Sequence, residues 1–262
     1  MSEQWQEATL DAGWCVGPVI HGGYLLALGT AALSEQLGPK GCPDPVTVTG
    51  HFLSGARPGP VSTGVEVLRA GQALAFATAR MCQPGGERLR VTAVMGDLAA
   101  MDGEARTFAE PPVLPPPERC FGNEDTPSEV LAQVPMLHRL DLRMDPETAG
   151  FAVGRPSGRG LIRGWMRFLD GREPTAVMLP LVADVLPPAT LDLGSPGWTR
   201  TVEMTVHVQH APAPGWLRVQ HAARTIAGGY VEQDAEIWDS TDRLVARGRQ
   251  LAKLAPVRGG AR

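Results

Sequence analysis

The stretch Val46–Gly59, VTVTGHFLSGARPG, has a counterpart in Val202–Gly215, VEMTVHVQHAPAPG. Aligning His51 with His207 also aligns Gly59 with Gly215 without a gap. The same offset of about 156 positions pairs Ala79 with Ala235. A register held across several segments marks an internal repeat. Within Val202–Val208 the residues alternate, with Val202, Met204, Val206 and Val208 on one side and Glu203, Thr205 and His207 on the other. A period of two describes a strand with one buried face.

Outward from these strands the two halves read alike. The first has an apolar, helix-like run from His21 to Leu37. The strand above follows it, then GVEVLRAGQALAFATARM, a QPGG turn and ERLRVTAVMGDL. The second has GWMRFL, a helix-like run from about Thr175 to Leu186 and its own strand, then WLRVQHAARTIAGGYVEQDAEIW, a DSTD turn and RLVARGRQLAKL. QPGG and DSTD suit hairpin loops. Each half therefore predicts one apolar helix and an antiparallel meander, the helix covering the apolar face that the sheet must bury. Pro111–Pro117, PPVLPPP, denies helix and central strand and reads as an extended connector. The expected organisation is α+β: an N-terminal unit over residues 1–110, a Pro-rich connector over 111–135, a C-terminal unit over 136–256 carrying the candidate catalytic residues, and a frayed tail at 257–262.

Bulk composition narrows the function. The 262 residues are 43% apolar and 20% charged, with a net charge of −4. That leaves no basic footprint for nucleic acid, and an anionic ligand would need a local basic patch. Cys15, Cys42, Cys82 and Cys120 form no C-x-x-C pair and are expected as free thiols in a reducing compartment, the cytoplasm. The polar N-terminus lacks the features of a secretory signal. The most apolar stretch, about residues 16–33, is short for a membrane span and is expected inside a core. No G-x-S-x-G occurs, GRPSG at Gly154–Gly158 has the wrong spacing, and no phosphate-binding glycine loop opens a helix. His207 and His210 lie three apart on a strand and so face opposite ways, and no metal or other cofactor is expected.

HGGYLLAL, GHFLSGARPGP and EVLRAGQALAFATARM in the first half, with LVADVLPPATL, TVEMTVHVQ and LVARGRQLAKL in the second, resemble in order and spacing the thioesterase-like superfamily. The likeness is greatest to the acyl-CoA thioesterase II family of double-hotdog enzymes. It covers nearly the whole chain and implies a tandem hotdog fold, each unit an antiparallel sheet wrapped around one central helix. It implies hydrolysis of an acyl-CoA thioester in lipid metabolism. Members of that family hold the attacking water with an Asp, a Thr or Ser, and a Gln. The matching positions are Asp184 in LVADVLPPA, Thr201 in RTVEMTVH, with Thr205 as the alternative hydroxyl, and Gln250 in ARGRQLAKL. Glu203 and Met204 depart from the family's Asp-His after the Thr position.

These residue types suit the chemistry. A carboxylate within reach of a water can act as general base. Asp184 lies in the apolar run AVMLPLVADVL, where an unpaired charge is costly. Negative charge near a helix C-terminus is also unfavourable, which favours a special role over a cap. A Thr hydroxyl and a Gln amide can both bind water and carboxylate. Gly22 and Gly23 open the first helix, where unpaired N–H groups and the absence of Cβ atoms would let a substrate carbonyl approach. His21, just before them, is a further candidate for the substrate site. The resemblance also implies that the helix start of one unit faces the helix of the other, bringing Gly23 towards Asp184. The alternatives are a non-catalytic binder of acyl-CoA or acyl-carrier thioesters and another hotdog enzyme, a hydratase or acyltransferase. A homo-oligomer is expected, because related folds use their remaining faces for symmetric contacts.

Overall fold

The computed structural model describes residues 4–101, 104–195 and 197–255. The tail at 257–262 lies outside the described residues. The first half lays down β1 (Gln4–Leu10), a small hairpin of β2 (Cys15–Val16) and β3 (Val19–Ile20), and helix α1 (Gly22–Leu37). Strands β4 (Asp44–Phe52), β5 (Gly59–Ala70), β6 (Leu74–Gln83) and β7 (Gly86–Gly96) follow. The second half has a short α2 (Ser128–Gln133), β8 (Leu140–Met144), β9 (Leu161–Phe168) and α3 (Leu179–Val182). It ends with β10 (Arg200–Val208), β11 (Leu217–Ala227), β12 (Tyr230–Trp238) and β13 (Leu244–Lys253). The connector is pinned to β9, where the Trp165 Nε1–H donates to the Pro115 carbonyl at 2.8 Å.

All strands except β2 and β3 join in one antiparallel sheet, in the order β1-β5-β6-β7-β4-β10-β13-β12-β11-β9-β8. The halves meet where β4 pairs with β10, so neither strand is left with an open edge. Thr49 lies directly opposite Thr205 there. Their hydroxyls are 2.8 Å apart, and the two residues are 156 positions apart in sequence. That is the repeat offset, so a pseudo-twofold axis passes between them. From this axis the order outward is β4, β7, β6, β5, β1 on one side and β10, β13, β12, β11, β9 on the other, with β8 added at the far edge.

The repeat extends to the irregularities. Gly59 and Gly215, at equivalent positions, both carry positive φ, 122° and 105°. Bulges fall at Leu68 and Arg224, between Val67 and Arg69 in one half and between Ala223 and Thr225 in the other. A second pair falls at Val46 and Val202. Gln83 Oε1 accepts the Arg57 N–H, and Asp239 Oδ2 accepts the Ala213 N–H at the equivalent place, both at 3.0 Å. Bulges bend a strand and sharpen its twist, and matched bulges let each half curl around its core in the same way.

Two expectations are corrected. The run from Thr175 to Leu186 is not one long helix: a 3-10 turn at Ala176–Met178 leads into α3, four residues long. Pro180 is tolerated because it sits in the first turn, where its missing N–H is not needed. The helix ends at Val182, and Pro187 and Pro188 bar any return to helix just beyond it. The first half does carry the expected helix: α1 spans 16 residues, begins at Gly22 with His21 as its cap, and packs on β4 to β7. The other correction is at Val202. Strict alternation puts it in the core, but the bulge leaves it 39% exposed and turns Thr201 to the inner face instead.

Asp239 gives this fold a measurable pH dependence. Its side chain is fully buried, which by itself would raise its pKa. The Thr241 hydroxyl and the N–H groups of Ala213, Thr241 and Arg243 outweigh burial and hold the carboxyl at about 2. A depressed pKa stabilises the fold above the unfolded value near 3.8, and the contribution is lost as pH falls towards 2. The shift corresponds to about 2 kcal/mol. Asp239→Asn is therefore expected to lower unfolding stability by about that much at pH 7 and to differ little from wild type near pH 2. Urea denaturation of both proteins across that range checks it, and equal stability at pH 7 would refute it.

Candidate functional site

The site is built where the start of α1 meets the end of α3. His21 accepts the Tyr24 N–H on Nδ1 at 3.2 Å, capping the helix. Its proton is therefore on Nε2, which donates to the Asp184 backbone carbonyl at 3.0 Å and lies 3.4 Å from Asp184 Oδ2. Asp184 Oδ2 also accepts the Gly23 N–H at 2.8 Å. The carboxylate thus sits on the positive end of α1, where charge and unpaired N–H groups favour an anion. Its side chain keeps 13% of its surface exposed, so a small molecule can reach it.

Glycine at position 23 is what permits this contact. A Cβ there would lie 2.6 Å from Asp184 Cβ and 2.9 Å from the Pro180 carbonyl oxygen. At Gly22 a Cβ would meet Asp184 Oδ2 at 3.2 Å and the Phe52 ring at 3.3 Å. The helix start comes from the first half and the carboxylate from the second, so the cluster spans the pseudo-twofold interface.

Thr201 and Gln250 form a second pair. The Thr201 hydroxyl donates to Gln250 Oε1 at 2.8 Å. The bulge at Val202 brings this about, because Thr201 then pairs with Ala252 and shares the inner face with buried Gln250. Thr205 stays on the outer face, bonded to Thr49 and Glu203. The inner face of β13 links the two pairs. Gly248, two residues before Gln250, lies under Ala183, where a Cβ would be 3.2 Å from the alanine methyl. The Asp184 segment thus touches the strand that carries Gln250, while the hydrogen bonds of each pair stay within it.

Two buried polar residues beneath this cluster were not foreseen from sequence. His221 on β11 is completely buried, and Gln233 on β12 nearly so. Burial, ahead of every other influence, depresses the His221 pKa to about 4. Gln233 faces Gln250 across the β12–β13 ladder. A surface recess of about 370 Å³ lies elsewhere, lined by Arg167, Phe168, Arg172 and Trp216. Neither Asp184, Thr201 nor Gln250 lines it, and its arginines are already paired with Asp141 and Asp170. Among the described residues no three His, Cys, Asp or Glu side chains gather as a metal-binding group, and no helix is long and apolar enough to cross a membrane.

Comparison with known proteins bears on this geometry. Residues 111–254 match the acyl-CoA thioesterase C-terminal domain, and residues 10–96 match the acyl-CoA thioesterase N-terminal domain. An uncharacterized protein of Mycobacterium tuberculosis is 27% identical over 266 residues, covering 95% of this chain and 90% of that one. The crystal structure of a proposed thioesterase II from Thermobifida fusca superposes with a TM-score of 0.83 at 27% identity, covering 95% of this chain and 93% of that one. A hot dog fold protein of unknown function from Alicyclobacillus acidocaldarius superposes at 0.80 with 22% identity, covering 98% and 97% of the two chains. The fold is therefore a hotdog fold, and the family matched is one of thioester hydrolases.

Proposed function

The chain belongs to the acyl-CoA thioesterase family, and from that premise we propose that it hydrolyses an acyl-CoA to CoA and a free carboxylate. The observation that carries this reading is the Asp184 carboxylate, seated on the start of the other half's helix beside the Thr201–Gln250 pair. Asp184 acts as general base. Gly23 fixes Oδ2, leaving Oδ1 to take a proton from water. Gln250 spends its carbonyl on Thr201, so its amide NH₂ is left to hold that water. One water held by both pairs would be the nucleophile. Among the first N–H groups of α1, that of Gly23 goes to Asp184 and that of Tyr24 to His21. The Gly22 N–H remains for the thioester carbonyl, whose developing negative charge the helix start stabilises. The proton taken by Asp184 then passes to the departing thiolate.

The same reading puts the enzyme in the cytoplasm, in keeping with four cysteines that form no disulfide, and makes it a homo-oligomer in lipid metabolism with no cofactor of its own. The test is a hydrolysis screen of acyl-CoAs of graded chain length, with acyl-carrier thioesters alongside, read by a thiol reporter. Saturable release of thiol is expected with at least one acyl-CoA. Binding without release across the panel would sink the enzymatic reading and leave a thioester-binding protein. On the best substrate, Thr201→Ala and Gln250→Ala are each expected to lower kcat by about tenfold, the worth of one hydrogen bond to a positioned water. A kcat unchanged in both would remove the pair from the mechanism.

A further inference from the structure

The chain around Asp184 lacks two of its backbone donors. In a continuing helix the carbonyls of Ala183 and Asp184 would accept from the N–H groups of residues 187 and 188. Both of these are proline and have no N–H. His21 Nε2 meets the Asp184 carbonyl from one side. On the other side the His221 ring lies against the backbone of Pro187 and Ala183, close enough for both to favour its protonated form. Its Nε2 is buried and has no hydrogen-bond partner.

Gln233 determines where the His221 proton resides. Its Oε1 accepts the Ala189 N–H at 2.8 Å, so its Nε2 faces His221 Nδ1 at 3.3 Å and donates to it. Nδ1 is then an acceptor and the proton lies on Nε2, facing the Asp184 segment. With its pKa at about 4, the ring stays a neutral donor at any ordinary pH. A buried donor with no acceptor costs about 1–3 kcal/mol. The repeat provides an internal control: 156 positions earlier stand Val65 and Ala77 in place of His221 and Gln233. Leu28, Pro45 and Val94 likewise stand in place of Asp184, Thr201 and Gln250. The first half folds the same strands without any of these polar groups, so the strands do not need them.

We propose that His221, oriented by Gln233, is a positioning residue for Asp184: its buried Nε2–H is held against the backbone of Pro187 and Ala183, where the helical donor is a proline, and so limits the movement of the peptide that carries the base. This rests on the reading of Asp184 as the base. His221 touches neither water nor substrate. It acts by limiting the angles at which the carboxylate can meet the water.

The test compares wild type, His221→Leu and His221→Gln on the best substrate of the screen, with ¹⁵N-histidine NMR of the wild type. His221→Leu is expected to lower kcat by about 10- to 100-fold, as a displaced catalytic group does, with KM within about twofold. His221→Gln keeps a donor and should recover part of kcat. NMR should find a histidine that keeps the Nε2–H tautomer from pH 5 to 8, absent from the spectrum of the Gln variant. A purely structural histidine would instead change the melting temperature and leave the kcat of the folded protein intact. Wild-type kcat in His221→Leu, or an Nδ1–H tautomer, would overturn the proposal. If His221→Leu does not fold, His221→Gln and the tautomer still decide it. A wild type that turns over no thioester would overturn the reading of the whole site, whereas an active wild type with unimpaired His221→Leu overturns this inference alone.

Discussion

Asp184→Asn should lower kcat by about 10² to 10⁴, the usual cost of losing a general base. The substitution is nearly isosteric. An Asn carbonyl oxygen can still accept the Gly23 N–H that Oδ2 now accepts, so the α1–α3 contact should survive. What is lost is the proton acceptor. KM should change little, because the missing interaction belongs mainly to the transition state. A purely structural Asp184 predicts the opposite pattern. Neutralising it would remove a charge from the helix start and lower the melting temperature, while turnover of the surviving fold stayed intact. Measuring kcat and melting temperature on one preparation separates the two, and an unchanged kcat would put the binding-module reading ahead.

The architecture was legible in sequence because a repeat is tested at many positions at once. The offset that aligned His51 with His207 also fixes the sheet order, the bulges and the Thr49–Thr205 axis. The second helix was misread because its residues are apolar and of the right length, while its prolines act on the backbone. Val202 was misplaced because a bulge leaves no mark in alternation: Val46 and Val202 read as ordinary strand residues. That miss concealed how Thr201 reaches Gln250. Choosing between Thr201 and Thr205 needed the bulge as well, since alternation alone puts both on the polar side.

His221 and Gln233 were missed although the repeat contained a signal for them. Sequence reading used the offset to find agreement between the halves. The positions that matter chemically are those where the halves disagree, with a polar residue in one and an aliphatic residue in the other, both facing inward. Burying such groups is costly, so an inward polar residue whose repeat partner is Val or Ala marks a site. What no offset could supply is the contact between α1 and α3, which joins residues at unrelated repeat positions across the interface.

Gly23→Ala tests that contact and should be damaging to activity. The added Cβ would stand 2.6 Å from Asp184 Cβ, 2.9 Å from the Pro180 carbonyl oxygen and 3.1 Å from that of Leu181. Two of these neighbours are backbone atoms of α3, whose residues are all buried, so they cannot swing aside as a flexible side chain would. The two helices must separate or Asp184 must tilt. Overpacking of this kind costs about 1–3 kcal/mol. In a chain of this size that lowers the melting temperature by roughly 2–4 °C for each kcal/mol. Activity should suffer more than stability. A base displaced by about 1 Å costs on the order of 10² in rate, and the Gly23 N–H that orients Oδ2 moves with it. Gly22→Ala is the comparison: its Cβ would meet only the end of the Asp184 side chain and the Phe52 ring, at 3.2 and 3.3 Å, and both can yield. Its kcat should therefore fall less than that of Gly23→Ala. If Gly23→Ala kept wild-type kcat, close packing of α1 against α3 would not be what places the carboxylate, and the base would have to be sought away from this interface.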